Sequence, residues 1–172
     1  MGDTMTDADL RFRTATGADL AAMVEIETGP DTTRYIGVTG RDYHERALAD
    51  DDQEQIVAEA ADGTVVGFVV LAGLRDGGGS VELRRIVVSH RHRGRGTGRR
   101  LFRAAVARAY ARHGAREVWL DVKPDNARAQ ALYESEGFRR CGTIPDPMDP
   151  DGVLLLMTHT PETGTDQRTG RE

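Results

Sequence analysis

One stretch, residues 86–101 (IVVSHRHRGRGTGRRL), constrains this chain more than any other. An apolar strand pattern ends near Val88, a basic turn follows, and glycines at 94, 96 and 98 open a helical pattern. In that helix Leu101, Phe102, Ala105, Val106, Ala109 and Tyr110 fall on one stripe, while Arg99, Arg100, Arg103, Arg108 and Arg112 lie largely off it. A buried strand that passes through a tight turn into an amphipathic helix needs a sheet with helices packed against it. The first turn of such a helix carries backbone N–H groups without intrahelical partners. The macrodipole adds about half a positive charge there. Glycines let the main chain approach a ligand closely and take unusual dihedrals. The turn at 93–98 therefore reads as a phosphate or pyrophosphate site. Arg93, Arg95 and Arg99 add guanidinium forks suited to phosphate oxygens.

The remaining patterns surround this unit with strands and helices. Residues 10–13 alternate as a strand, and a short helix follows with Leu20, Met23 and Val24 on one side, ended by Gly29-Pro30. A second helix is expected over 41–49. Residues 55–60 and 64–74 read as strands joined at Asp62-Gly63, a strong hairpin signal. Further strands are expected at 81–88, 117–122, 138–143 and 153–160, with a helix over 126–136 closed by Gly137. The order βα(α)βββαβαββ implies an α/β (α+β) fold: a mixed, mostly antiparallel sheet with helices on both faces. Residues 9–160 are expected to form one domain between flexible ends at 1–8 and 161–172.

Two nucleotide motifs fail on the turn. It lacks the Lys-Ser/Thr of NTPase phosphate loops, and Arg99 stands where the dinucleotide fingerprint needs glycine or alanine. The segment instead resembles the GNAT superfamily of acetyl-CoA-dependent N-acetyltransferases, whose Arg/Gln-x-x-Gly-x-Gly/Ala pattern is met by Arg93, Gly96 and Gly98. Downstream, NARAQALYESEGF (126–138) resembles the family's second motif, Asn-x-x-Ala-x-x-Leu-Tyr-x-x-x-Gly-Phe. The opening LRFRTATGADL is similar to the family's first strand and helix. The resemblance covers residues 10–160, with its specific part in 81–138.

That resemblance implies direct transfer of an acetyl group from acetyl-CoA to a primary amine. It assigns the CoA pyrophosphate to the backbone of Arg93, Gly94, Arg95, Gly96, Thr97, Gly98 and Arg99. It pairs pantetheine with the main chain of Ile86, Val87 and Val88, and implies a bulge in that strand that splays it from 117–122. Asn126, Ala129 and Tyr133 share one helix face. Asn126 either caps the helix or also touches the cofactor. Tyr133 is implied as the general acid for the departing thiolate. A lysine-like ammonium must also lose a proton, which costs about 4.6 kcal/mol at pH 7 from a reference pKa of about 10.4. Glu82 is the candidate base, followed by Asp121 and a water relay.

Other readings are weaker. Arginines 84–116 number eleven with no acidic residue among them, although the whole chain carries −5. That island suggests a compact anionic ligand; no aromatic ladder accompanies it, so no nucleic acid is expected. His90 and His92 lack further ligands, and no metal is expected. The single Cys141 excludes an internal disulfide and fits a reducing, cytoplasmic setting. The longest apolar run is too short to cross a bilayer, so no membrane partner is expected. The opening MGDTMTDADL is acidic and unlike a secretory signal. A monomer or homodimer is expected, with a small-molecule or peptide amine as acceptor. Tyr35, His44 and Asp146 are candidate acceptor-wall residues.

Overall fold

The computed structural model describes residues 9–162. The expected flexible ends fall outside these residues, apart from 161 and 162. Seven strands form one sheet: β1 (Arg11–Thr14), β2 (Gln53–Glu59), β3 (Val65–Ala72), β4 (Ser80–Val88), β5 (Glu117–Val122), β6 (Arg139–Pro145) and β7 (Val153–His159), in the spatial order β1-β2-β3-β4-β5-β7-β6. Every neighbouring pair is antiparallel except β4–β5. The parallel pair arises because α3 (Thr97–Ala111) carries the chain back across the sheet between them. The remaining helices are α1 (Leu20–Glu27), α2 (Arg41–Leu48) and α4 (Ala127–Ser135).

Alternation along the strands builds two cores on opposite faces. On one, Ile56, Val69, Leu71 and Val81 meet Leu101, Phe102, Ala105 and Ala109 of α3, with Tyr133 of α4 and Phe138 closing the layer. On the other, Val57, Phe68, Val70 and Val87 meet Met23 and Ile26 of α1. The stripe expected on α3 is therefore its packing face. Glu54 fastens α3 to the sheet at its C-terminal end: its buried carboxylate accepts from Arg108 (2.7 Å), Thr14 (2.7 Å) and His113 (2.5 Å). Burial acts to raise this carboxyl, but those donors outweigh it and hold it below its ordinary value.

The feature that shapes the site is an irregularity in β4. Val70 pairs with Arg85 and Leu71 with Leu83, so Arg84 is an extra residue, a β-bulge. Pairing of β4 with β5 covers only Ser80, Val81 and Glu82 and stops two residues before the bulged Arg84. Beyond it, β5 pairs with β7 as far as Val122 while β4 remains on β3. The two central strands diverge, as expected, and the wedge between them is a cleft.

Candidate active site

The cleft has a volume of about 1400 Å³. One wall is the free half of β4 with the α1–α2 segment; the other is β5, α4 and the β6–β7 turn. At one end lies the glycine turn. Gly94 (φ 75°) and Gly96 (φ 83°) occupy left-handed backbone, and Gly96 stands at the N-terminus of α3. Side chains at these two positions would be strained, so the glycines are required by the path of the turn itself. A helix N-terminus directs its first-turn amides outward, and Gly98 and Arg99 of that turn line the cleft.

Of the residues expected at the cofactor, Ile86, Val87, Val88, Arg93, Gly94, Gly96, Gly98, Arg99, Asn126, Ala129 and Tyr133 line this cleft. Arg95 and Thr97 do not. Arg95 is exposed on the outer side of the turn. Thr97 is 1% exposed, so its side chain belongs to the core. Two arginines already have partners. Arg99 donates to Ser135 (2.8 Å) and pairs with Glu136, tying α3 to the end of α4. Arg93 donates to the Val88 carbonyl (3.1 Å), the Pro30 carbonyl (3.3 Å) and the Thr32 hydroxyl (2.6 Å). Asn126 is the N-cap of α4, accepting from the Ala129 amide at 3.2 Å. Its cap role is thus real, and it faces the cleft as well.

Tyr133 sits against the inner face of the wedge, 7% exposed, its ring stacked on Phe102 at 5.1 Å. Its hydroxyl has no hydrogen-bond partner among the described residues. Burial first, and then the negative charge of Asp121, push its pKa up to about 12. The phenol therefore holds its proton across the neutral range.

The two candidate bases differ. Glu82 occupies the last paired position on β4, opposite Trp119, outside the cleft lining. Its Oε2 accepts both Nε (3.0 Å) and Nη2 (2.8 Å) of Arg84. Asp121 lies on β5 in the cleft wall and has no hydrogen-bond or ion-pair partner among the described residues. Its tip is exposed, yet the cleft removes enough water to raise its pKa; the charges of Glu82 and Asp146 raise it further, against the opposing pull of Arg84. Leu120 and Val122 point to the α3–α4 core, so strand alternation turns Asp121 to the opposite face.

Tyr35 and Asp146 line the cleft as expected. His44 does not: it is fully buried, with Nδ1 2.6 Å from Gln55 Oε1 and Nε2 3.3 Å from Glu27. Helix α2 turns it inward against Phe68, so it belongs to the support beneath the α1–α2 segment. Glu27 was not anticipated as a site-supporting group. Its buried carboxylate accepts the Gly40 amide at 2.8 Å and both main-chain and side-chain donors of Thr39. A glutamate ending an otherwise apolar helix face, in line with Leu20 and Met23, was the available sign. His90 and His92 have no metal-binding company, and no group of potential ligands is assembled among the described residues.

A family model described as "Acetyltransferase (GNAT) family" matches residues 20–138. The chain belongs to that family. It is 39% identical over 98 residues to the N-alpha-acetyltransferase RimI of Mycobacterium tuberculosis, covering 56% of this chain and 59% of that one. It is 36% identical over 104 residues to the streptothricin acetyltransferase of Streptomyces lavendulae, covering 60% of this chain and 54% of that protein. The chain thus spans somewhat over half the length of these two curated relatives. A spermidine N-acetyltransferase from Vibrio cholerae, solved with CoA and spermine, superposes with a TM-score of 0.78 at 21% identity, covering 90% of this chain and 96% of that one. That likeness establishes the shared fold. Among the described residues no helix is long and apolar enough to cross a membrane.

Proposed function

We propose that this GNAT protein transfers an acetyl group from acetyl-CoA directly to the primary amine of a small cationic acceptor. The observation that carries the reading is the wedge opened by the Arg84 bulge, with an anion-ready glycine turn at one end and, along its inner face, the Tyr133 phenol, whose ring is buried and whose hydroxyl has no partner among the described residues. The turn fits a pyrophosphate: its positive-φ glycines leave space beside the main chain, and it precedes the N-terminus of α3. Past Glu82 the β5-facing main-chain groups of β4 have no strand partner, which suits an extended amide-bearing chain. Main-chain groups alternate in direction along β4: Ser89 donates to Val66 of β3, so Val87 is turned to β3 as well and Ile86 and Val88 face the cleft. The Val88 carbonyl already accepts from Arg93, so Ile86 is the better position for such pairing. Acetyl-CoA supplies the activated thioester.

Two protons must move in opposite senses. Tyr133 holds the proton needed by a departing thiolate, and its burial keeps that proton on the phenol until then. The acceptor nitrogen must shed one. Asp121 is the better base than Glu82, because it faces the cleft and is unclaimed, whereas Glu82 is held by Arg84. Asp121 also gives this part of the cleft an unpaired negative charge, while Asp146 lies 3.8 Å from the Lys123 ammonium; the carboxylate of Asp121 favours an ammonium ligand. The relatives' acceptors suggest the classes to try. The test is thiol release from acetyl-CoA with spermidine, streptothricin and a short peptide with a free α-amine. Acetyl-CoA binding without thiol release for any cationic amine would replace this reading with that of an acyl-CoA-binding module.

A further inference from the structure

Arg93, at the root of the glycine turn, does something other than face an anion. Three of its donors are spent: Nε on the Val88 carbonyl, Nη1 on the Pro30 carbonyl and Nη2 on the Thr32 hydroxyl. Thr32 is 4% exposed and is the only buried residue between 30 and 40. The α1–α2 segment, residues 28–40, therefore hangs from the turn by the Arg93 side chain. A second arginine holds its other end: both Nη atoms of Arg85 lie 2.6 Å from the Gly37 carbonyl, and Glu27 takes the amides of Thr39 and Gly40. Arg85 and Arg93 flank the free half of β4, one just after the bulge and one just beyond the strand end. Between these anchors Asp31, Thr33, Tyr35 and Ile36 line the cleft opposite Asp121. Asp31 takes a positive φ of 60°, a conformation that the anchored path imposes on a non-glycine residue.

We propose that Arg93 is a positioning residue for the acceptor wall rather than a phosphate ligand: it couples the state of the cofactor turn to the order of residues 28–40. The Arg93 main chain belongs to the turn and its guanidinium to the wall. Fixing the turn with an anion fixes the root of the side chain, which restricts the wall that it carries. Binding at the turn and order in the wall then favour each other reciprocally. The inference rests on the reading of the turn as the CoA pyrophosphate site.

The test uses free CoA as probe, with calorimetry for affinity and hydrogen exchange for the wall. In the wild type, saturating CoA slows amide exchange in residues 30–39 by about tenfold. In Arg93→Met, CoA still binds within about threefold of the wild-type Kd, but its protection of 30–39 is lost. Thr32→Val removes the hydroxyl without touching the turn and gives the same uncoupling. With an amine that passes the thiol-release screen, both variants raise acceptor KM more than acetyl-CoA KM, a split that general loss of stability would not produce. Persistent CoA protection of 30–39 in both variants would overturn the proposal, since CoA would then hold the wall directly. A loss of CoA affinity of tenfold or more in Arg93→Met, with Thr32→Val unaffected, would also overturn it, because Arg93 would then be a phosphate ligand. Failure of the wild type to bind CoA would instead remove the reading of the turn on which the proposal stands.

Discussion

Replacing Tyr133 with phenylalanine removes one oxygen and leaves the ring. The ring is what the core uses: it stacks on Phe102 at 5.1 Å and lies 6.4 Å from Phe138. The hydroxyl donates to no described residue, so its loss leaves no protein group unsatisfied. Folding stability should change by less than about 1 kcal/mol. The chemical effect should be larger. General acids contribute about 10²- to 10⁴-fold in rate. The phenol's pKa of about 12 lies well above a typical thiol value of about 8.5, so complete transfer to a thiolate is uphill by about 5 kcal/mol. The phenol can stabilise developing charge on sulfur through a hydrogen bond, but full protonation must await solvent or product. The expected loss is therefore at the low end, about 10²-fold in kcat, or about 2.7 kcal/mol of barrier. The assay is thiol release at saturating acetyl-CoA and amine, paired with calorimetric CoA affinity and a melting curve. A kcat within threefold of wild type, with no pre-steady-state burst, would refute the acid role. A fall in kcat matched by an equal fall in CoA affinity would show that Tyr133 serves binding instead.

The two carboxylates separate by pH profile. Asp121→Asn should lower kcat/KM about 10²-fold and abolish its acidic limb, which lies above the ordinary aspartate value because burial and the charges of Glu82 and Asp146 raise Asp121. Glu82→Gln should keep most of the turnover and move that limb to lower pH, since it removes one of the charges raising Asp121 and frees Arg84; an abolished limb would make Glu82 the base. Gly67→Ala should lower Tm by about 2–10 °C, from an overpacking cost of about 1–3 kcal/mol, because a Cβ there would stand 2.9 Å from the Val87 carbonyl oxygen and 3.2 Å from Leu101 Cδ2. CoA affinity should fall with it, since Val87 lies in the cleft strand; an unchanged Kd would dissociate the β4 backbone from cofactor binding. Glu27→Gln should cost about 3 kcal/mol at neutral pH by leaving His44 and Arg85 without their carboxylate. Burial acts to raise Glu27, but the Gly40 amide, His44, Thr39 and Arg85 prevail and hold it below its ordinary value. Its ionic contribution is therefore complete above the unfolded-state pKa and fades as pH falls through the folded one, so the two proteins' denaturation curves should converge in acid.

Local signals located most of the elements. Asp62-Gly63 lies between β2 and β3, Gly137 follows α4 at a φ of 90°, and Asn126 caps that helix, each doing the job that its residue type suggests. Residues whose roles depend on partners distant along the chain were harder to read. Glu82 alternates correctly for a strand facing the wedge, but the wedge begins one residue later, and which residue bulges depends on how β3 registers against β4. Thr97 sits in a cofactor motif yet packs into the core, because the turn rotates it inward as α3 begins. His44 reads as a polar residue on a variable helix, whereas Glu27 and Gln55, 17 and 11 residues away, draw it inside. Arg93 matches the motif but spends its side chain on Pro30 and Thr32, some sixty residues upstream. A motif records which positions matter, but not which partners they choose.

The bulge at Arg84 does more than open space. Had β4 and β5 remained paired to their ends, Asp121 would lie in a continuous sheet surface and Tyr133 beneath a closed one. Divergence beginning after Glu82 exposes β5 along one edge only, and strand alternation turns Asp121 to the face opposite the α3–α4 core. Leu120 and Val122 face the α3–α4 core, against which the Tyr133 ring is buried and its proton held; Asp121 faces the opposite side, where burial and then its carboxylate neighbours raise its pKa. The two groups remain electrostatically coupled, since the Asp121 charge itself helps to hold the Tyr133 proton. In the proposed reaction, protonation of Asp121 by the acceptor would lift that restraint and make the phenol a stronger acid as the thiolate leaves. With Asp121 on β5 and Tyr133 on α4 lining the same cleft, the first proton movement of the proposed reaction would promote the second. The double variant Asp121→Asn, Tyr133→Phe tests this: the rate effects should fall short of multiplicative by about the strength of that coupling, whereas fully multiplicative losses would mean that the two groups act independently.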